Sequence, residues 1–409
     1  MLAAAVLVMF PSSPGGSAVA PTPVDTPSGP GARLPRLGPL PGGGALLSWV
    51  EPEGDGHALR FAVLRAGRSV RQGKVASGPG WFVNWADFPS VVAIDDDFWV
   101  AHWLVLHPGG GAYNYDIALA VSRDGGRHWR AIGPPHRDGV AAEHGFAVLF
   151  RDGDAAGILW LDGRDFSAPG PGSGHGPGHA GHAGSFALRF ARILRDGRPG
   201  AEEVLDADTC TCCWPAVTAL PEGAFAAWRG HTGEEIRDHR TARRRGSAWS
   251  PPAELGGEGW RIAGCPVNGP ALAARGHRLL AAWFTAADER PRVRAALSED
   301  AGGAFGPAFD LDTEAPLGRI AALWLDDDQA LVGWLAASAD GEQAPLVFRR
   351  VAAGGAVAAP RPLASVAASR DSGVPQMLGD GEDVYLAWTR PGPAFGLEVR
   401  RVSRQDLLN

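Results

Sequence analysis

Residues 45–49 read ALLSW, and the same kind of run, short, apolar and closed by tryptophan, returns six times: VAHW at 100–103, AGILW at 156–160, AFAAW at 224–228, LLAAW at 279–283, ALVGW at 330–334 and VYLAW at 384–388. The seven tryptophans, Trp49, Trp103, Trp160, Trp228, Trp283, Trp334 and Trp388, stand 51 to 68 residues apart. A period near fifty with one short buried strand per unit marks a propeller, because each unit has an apolar face that only a neighbouring unit covers. The expected fold is all-β: a seven-bladed β-propeller of four-stranded antiparallel blades, with six blades as the fallback count.

Outward from each tryptophan strand the pattern repeats. Before it come a first strand opening near Pro or Gly, such as DFPSVVAI, HGFAVLF or CWPAVTAL, and a tight acidic or Gly turn. After it a longer loop leads to a third strand, such as DIALAVS, FALRFARI or LEVRRVS, and then to an outer strand. The seventh unit stops after its third strand, near Ser403. Its missing outer strand is expected from the N-terminal segment, which would close the ring. Loops between blades share one face with the loops joining second to third strands. That face carries the longer and chemically richer loops, where function in repeat folds concentrates.

Composition agrees with this architecture. The chain has 409 residues with 57 Gly and 34 Pro, as many short strands and turns require. The formal net charge of −7 has no basic stripe, which argues against nucleic acid as a partner. Residues 1–20 combine an apolar core, Leu2 to Phe10, with an Ala18-Val19-Ala20 cleavage pattern, and read as a secretory signal. That run is too short for a membrane span, so an exported, periplasmic or extracellular monomer is expected. Residues 21–32 read as a Pro-rich lead-in that forms no core, and residues 33–409 as a single propeller domain.

The turn Ser122-Arg123-Asp124-Gly125-Gly126-Arg127-His128-Trp129 resembles the Asp-box (BNR repeat) of the sialidase-like propellers, with His128 in place of Thr. Its counterpart, Ser298 to Phe305, keeps Ser298, Asp300 and Gly302 and places Phe305 where the tryptophan belongs. Such turns are structural: Ser and Asp satisfy backbone groups of a tight hairpin, Gly takes positive φ, and the aromatic tucks between strands. The resemblance implies an exo-α-sialidase type of glycoside hydrolase as one candidate activity. That chemistry would use arginines on an acidic sugar, a Tyr paired with a Glu, and an Asp acid/base. Arg33-Leu34-Pro35 is loosely similar to the family's first arginine motif, with Ala32 where an aromatic is expected. Only Tyr113, Tyr115 and Tyr385 are present, and no Tyr–Glu pair is evident in the sequence.

Three constellations fall on the loop-rich face. Cys210, Cys212 and Cys213 lie in TCTCCWP entering the fourth unit, and Cys265 lies in GCPVNGP entering the fifth. Cys213 and Cys265 hold near-equivalent places in neighbouring blades. Thiolates in this spacing suit copper or zinc; disulfides, Cys213–Cys265 with Cys210–Cys212, suit an exported chain; free thiols are the third possibility. A Gly-rich insertion carries His175, His179 and His182, residue types that can capture or hand over metal. Finally, His144, Asp165, Arg229, Glu235, Arg237, Arg319 and Arg370 form a ring of charge with catalytic potential, His144 paired with Glu235 or Asp165. An ion-pair network holding loops explains the same residues. The face is therefore expected to take a small molecule, a metal or a glycan. The functional alternatives are a metal-handling propeller, a sialidase-type hydrolase, and a non-catalytic glycan- or protein-binding propeller stiffened by disulfides.

Overall fold

The computed structural model describes residues 21–166 and 185–409. Seven antiparallel sheets form the ring. In chain order, innermost strand first, blade 1 is Arg33–Pro39, Ala45–Glu53, Gly56–Arg65 and Arg68–Gly78, and blade 2 is Ser90–Ala93, Trp99–Leu106, Tyr115–Ser122 and Arg130–Ile132. Blade 3 is His144–Asp152, Ala155–Asp162, Phe186–Ile193 and Glu203–Thr209. Blade 4 is Ala216–Leu220, Gly223–Arg229 and His239–Arg245, with an outer edge split into Ala248–Trp249 and Ala253–Leu255. Blade 5 is Ala271–Arg275, Arg278–Thr285, Arg292–Ser298 and Phe309–Asp312; blade 6 is Gly318–Trp324, Gln329–Leu335, Gln343–Ala352 and Arg361–Ala367. Blade 7 is Gln376–Asp380, Asp383–Arg390 and Gly396–Ser403.

The missing outer strand of blade 7 comes from the chain's beginning: Thr22–Pro23 pairs antiparallel with Gly396–Ser403, Thr22 opposite Arg401, and Val24 N–H donates to Val399 O at 2.8 Å. The strand comes from the N-terminal segment as expected, but the lead-in also adds to the core, against expectation: Val24 and Ala32 are buried between blades 1 and 7. After Ser403 the chain adds one short helix, Arg404–Leu408, capped by the Ser403 hydroxyl and anchored by fully buried Leu407. Among the described residues no helix is long and apolar enough to cross a membrane.

The repeating tryptophan is a packing and hydrogen-bonding unit together. Trp49, Trp160, Trp228, Trp283 and Trp334 are at most 1% exposed. Each donates its indole N–H to a carboxylate: Glu51 (2.8 Å), Asp162 (2.7 Å), Asp206 (2.8 Å), Glu258 (2.9 Å) and Asp312 (2.5 Å). A buried indole N–H needs such a partner. In four blades the residue opposite the tryptophan on the third strand is an arginine that pairs with the same carboxylate: Arg60 with Glu51, Arg189 with Asp162, Arg240 with Asp206, Arg294 with Glu258. In blades 4, 5 and 6 the carboxylate that accepts from the tryptophan comes from the preceding blade or the connection leaving it, so the contact also staples neighbouring blades.

A second device sits where blades begin. Leu34, Phe146 and Arg319 take left-handed backbone angles beside irregularities in the pairing of first and second strands. Their N–H groups donate to Thr389 Oγ1, Asp87 Oδ2 and Asn268 Oδ1 at 3.1, 2.8 and 2.8 Å. Strain in this backbone region persists where neighbours hold it, and here each neighbouring blade supplies the side chain that does so.

Candidate functional site

The thiols gather as the spacing suggests. Cys210, Cys212 and Cys213 occupy the connection from blade 3 to blade 4, and their sulfurs lie within 4.8 Å of one another. Cys210 Sγ is 3.3 Å from Cys213 Sγ and 3.8 Å from Cys212 Sγ. Cys265 packs against the same cluster, 3.7 Å from Thr211 Oγ1, and hydrogen-bonds with Cys212. All four cysteines are free thiols in the structure, so neither expected disulfide is formed.

The three sulfurs differ electrostatically. Burial opposes ionisation of Cys210, but hydrogen bonding with Cys212 and Cys213 and the charges of Arg237 and Arg229 bring its pKa well below the ordinary thiol value. Burial pushes Cys212 and Cys213 up. Ionisation is therefore favoured at Cys210 over Cys212 and Cys213. Arg237 Nη1 lies 3.5 Å from Cys210 Sγ, and its Nη2 donates to Glu235 Oε2 at 2.8 Å. Glu235 lies 3.5 Å from His231 Nε2, and His231 Nδ1 meets Asp208 at 2.6 Å, so a polar chain runs from Cys210 toward solvent.

His144 lies elsewhere, between blades 2 and 3. Its Nδ1 is 2.9 Å from Asp116 Oδ1, and its Nε2 is 3.4 Å from Asp138 and 3.8 Å from Asp162. Its carboxylate partners are therefore these three residues, and the expected pairing with Glu235 or Asp165 gives way. His136 stacks on it at 3.9 Å with ring planes 7° apart. Burial, then the neighbouring His144, holds His136 down to about 4. Arg164 closes the inner side of the group, bonding Asp138 (2.9 Å), Asp162 (2.6 Å) and Glu202 (2.9 Å). Asp165 points away, with 68% of its side chain exposed, 3.6 Å from Arg189.

The remaining arginines divide by role. Arg229 is buried; it donates to the carbonyls of Asn268, Arg237 and Phe284 and lies over Trp260 at 4.8 Å. Arg319 donates to the carbonyls of Ala368, Ser369 and Gly373 and to Ser372 Oγ. Burial, then the charge of Arg370, lowers its pKa to about 10. Both guanidiniums hold inter-blade connections together. Arg370 is exposed and, like Arg319, lies over Trp85. A Tyr–carboxylate contact does exist: Tyr115 OH donates to Asp87 (2.9 Å) and Glu143 (3.2 Å). Tyr115 is fully buried, stacked on Phe82 at 4.0 Å, and burial raises its pKa well above the usual phenol value. It is a packed hydrogen-bond donor, closed to substrate.

On the opposite face, the two box-like turns share one hydrogen-bond scheme. Ser122 Oγ accepts from Gly126 N and donates to Asp124, which accepts from His128 N; Trp129 Nε1 donates to Gly126 O. Ser298, Asp300, Gly302 and Ala304 repeat it, and Phe305 packs on Phe225 at 5.7 Å. His175, His179 and His182 lie outside the described residues. Asp116, His136, Asp138 and Asp208 were missed from sequence. The only signal was the crowding of His136, Asp138 and His144 into one inter-blade connection.

No protein-family model matches the chain, and no curated protein matches it. Solved structures of similar shape exist. The NanB sialidase of Streptococcus pneumoniae is 8% identical with a TM-score of 0.49, covering 88% of this chain and 84% of its own. An intramolecular trans-sialidase of Ruminococcus gnavus is 10% identical, TM-score 0.49, covering 80% and 97%. An α-L-arabinanase of Penicillium chrysogenum is 11% identical, TM-score 0.46, covering 95% and 98%. These are likenesses of fold.

Proposed function

We propose that this propeller binds a soft transition-metal ion, copper(I) or zinc(II), through Cys210, Cys212 and Cys213, and that it works in metal handling outside the cytoplasm. The mutual approach of three buried sulfurs carries the reading. Sulfurs about 2.3 Å from one ion stand about 3.8 Å apart in a tetrahedron. The Cys210–Cys212 separation is 3.8 Å, and Cys210–Cys213, at 3.3 Å, needs only a small side-chain adjustment. Partly exposed Cys265 stands beside the cluster as an outer thiol, and the chain through Arg237, Glu235 and His231 gives the site a polar margin. The test is elemental analysis and thiol counting on protein purified without chelator, with copper(I) and zinc(II) titrations. About one soft ion per chain is expected, with at least a hundredfold weaker binding in Cys210→Ser and Cys213→Ser. A chain that stays metal-free and takes up neither ion with its thiols reduced rejects the reading.

An acidic glycan is the second reading. It is supported by exposed Arg370 above the partly exposed ring of Trp85 on the same face, and by the two box-like turns, which suit kinship with sialidase-type propellers. A sialylated oligosaccharide should then bind wild type and lose most affinity with Arg370→Ala; no binding to wild type removes this reading.

A further inference from the structure

We infer that Asp116, His136 and His144 form a second metal site, for a borderline divalent ion such as zinc(II) or iron(II), independent of the thiols. Asp116 is the second residue of the third strand of blade 2, His136 lies in the connection between blades 2 and 3, and His144 opens blade 3. Nitrogen and oxygen atoms from these three residues lie within 4.8 Å of one another. Asp116 Oδ1 is 2.9 Å from His144 Nδ1 and 3.4 Å from His136 Nε2. Donors about 2.0–2.1 Å from one ion stand roughly 3.0 Å apart in an octahedron and 3.4 Å in a tetrahedron, so the spacing already suits an ion.

The hydrogen bonding points the same way. His136 is 4% exposed, yet its Nε2 has no hydrogen-bond partner among the described residues although it faces Asp116. Buried imidazole nitrogens are normally partnered. Behind the pair stands one carboxylate: Asp138 Oδ2 is 3.7 Å from His136 Nδ1 and 3.4 Å from His144 Nε2. A carboxylate behind each ligating histidine fixes the tautomer and aims the other nitrogen at the metal. In the structure Asp138 Oδ2 accepts from neither ring, and His144 Nδ1 instead shares its proton with Asp116. With an ion bound, that proton would leave Nδ1 and Asp138 could accept from His144 Nε2 and His136 Nδ1, turning His136 Nε2 and His144 Nδ1 toward the ion beside Asp116. Its second oxygen, Oδ2, is held 3.0 Å from His107 Nε2. The alternative grouping, Asp138, His144 and Asp162, is occupied by the Arg164 guanidinium, which leaves the Asp116 side for a cation.

Two histidines and one carboxylate leave coordination positions open, as metal centres that bind water or substrate do. A groove of about 430 Å³, lined by His107, Asp116, His136, Arg137 and Val140, meets the site from solvent. The stacked rings must splay to aim both nitrogens at one ion, so binding moves them.

Cobalt(II) titration of the full chain tests the inference, because the two sites have different spectra. Thiolate-bound cobalt shows sulfur charge transfer, and cobalt on nitrogen and oxygen shows ligand-field bands alone. The expected result is a class of cobalt without sulfur charge transfer. It should be lost in His136→Gln and Asp116→Asn, and weakened about 10–100-fold in Asp138→Asn, the positioning residue. Cysteine-to-serine variants should keep it. Only sulfur-marked cobalt in the wild type, or nitrogen–oxygen cobalt of unchanged affinity in the variants, overturns the site. If a variant does not fold, the wild type still decides: ring nitrogen resonances of His136 and His144 must shift with zinc(II), and their constancy at saturating zinc overturns the site equally.

Discussion

Asp206 shows what single side chains do in this ring. It lies on the outer strand of blade 3, yet it accepts from Trp228 and pairs with Arg240, both of blade 4. Asp206 is 7% exposed, so its removal strands a buried indole N–H and a largely buried guanidinium. Breaking a buried pair from one side costs about 3–5 kcal/mol. Asp206→Ala should therefore lower unfolding stability by about that much in denaturant titrations, and Asp206→Asn by less, since the amide oxygen still accepts from Trp228. The tryptophans could be read from the sequence because they recur in a fixed apolar frame. Their carboxylates could not: Glu51 and Asp162 follow two residues later on the same strand, whereas Asp206 and Asp312 come from the preceding blade and Glu258 from the connection between blades 4 and 5. The cysteine cluster was legible for a simpler reason. Three of its members are neighbours in sequence, and the fourth holds the corresponding place one blade later.

Among the elements, the outer strand of blade 7 is the most informative. Thr22–Pro23 covers the last strand, Gly396–Ser403, whose backbone would otherwise be an open edge. Open edges invite pairing with other chains. A chain lacking residues 21–24 should melt several degrees lower and self-associate, measured by thermal unfolding and size-exclusion chromatography; an unchanged melting temperature and a single monomer-sized peak would contradict the seam. The unit pattern pointed to the N-terminal segment as a source of this strand, while the Pro-rich composition of the segment hid the burial of Val24 and Ala32. His239–Arg245, HRTARRR, was similarly hidden. Its arginines obscure the alternation, because Arg240 and Arg244 turn toward Asp206 and Asp152. Paired arginines can sit where the pattern expects apolar residues. The histidine–aspartate group was illegible for a related reason: Asp116 and His136 belong to elements that only the stacking of blades 2 and 3 brings together.

For the whole molecule, pH gives a measurable signature. His102, in the tryptophan strand of blade 2, is fully buried, with Nδ1 3.1 Å from Ser90 Oγ. Burial, then the charge of Arg36, holds its pKa down to about 3. An unfolded chain's histidine titrates near 6.5, so below that pH the unfolded state takes up the proton first. His102 therefore contributes stability that is present above pH 6.5 and is lost as pH falls toward 3, at up to about 1.4 kcal/mol per pH unit. In His102→Gln the acid limb of the stability profile should be correspondingly shallower, measured by denaturant midpoints across that range. An identical limb in the two proteins would refute the assignment.

The seam between the two ends of the chain also governs the response to force. Thr22 lies opposite Arg401 and Pro23 opposite Arg400, so the strand leading in from residue 21 and the strand running out past Ser403 leave the sheet at the same edge. Once the docked helix Arg404–Leu408 is pulled free, tension between the termini peels this junction one hydrogen bond at a time instead of shearing several together. Mechanical rupture should begin there at low load, with the other blades giving way only afterwards.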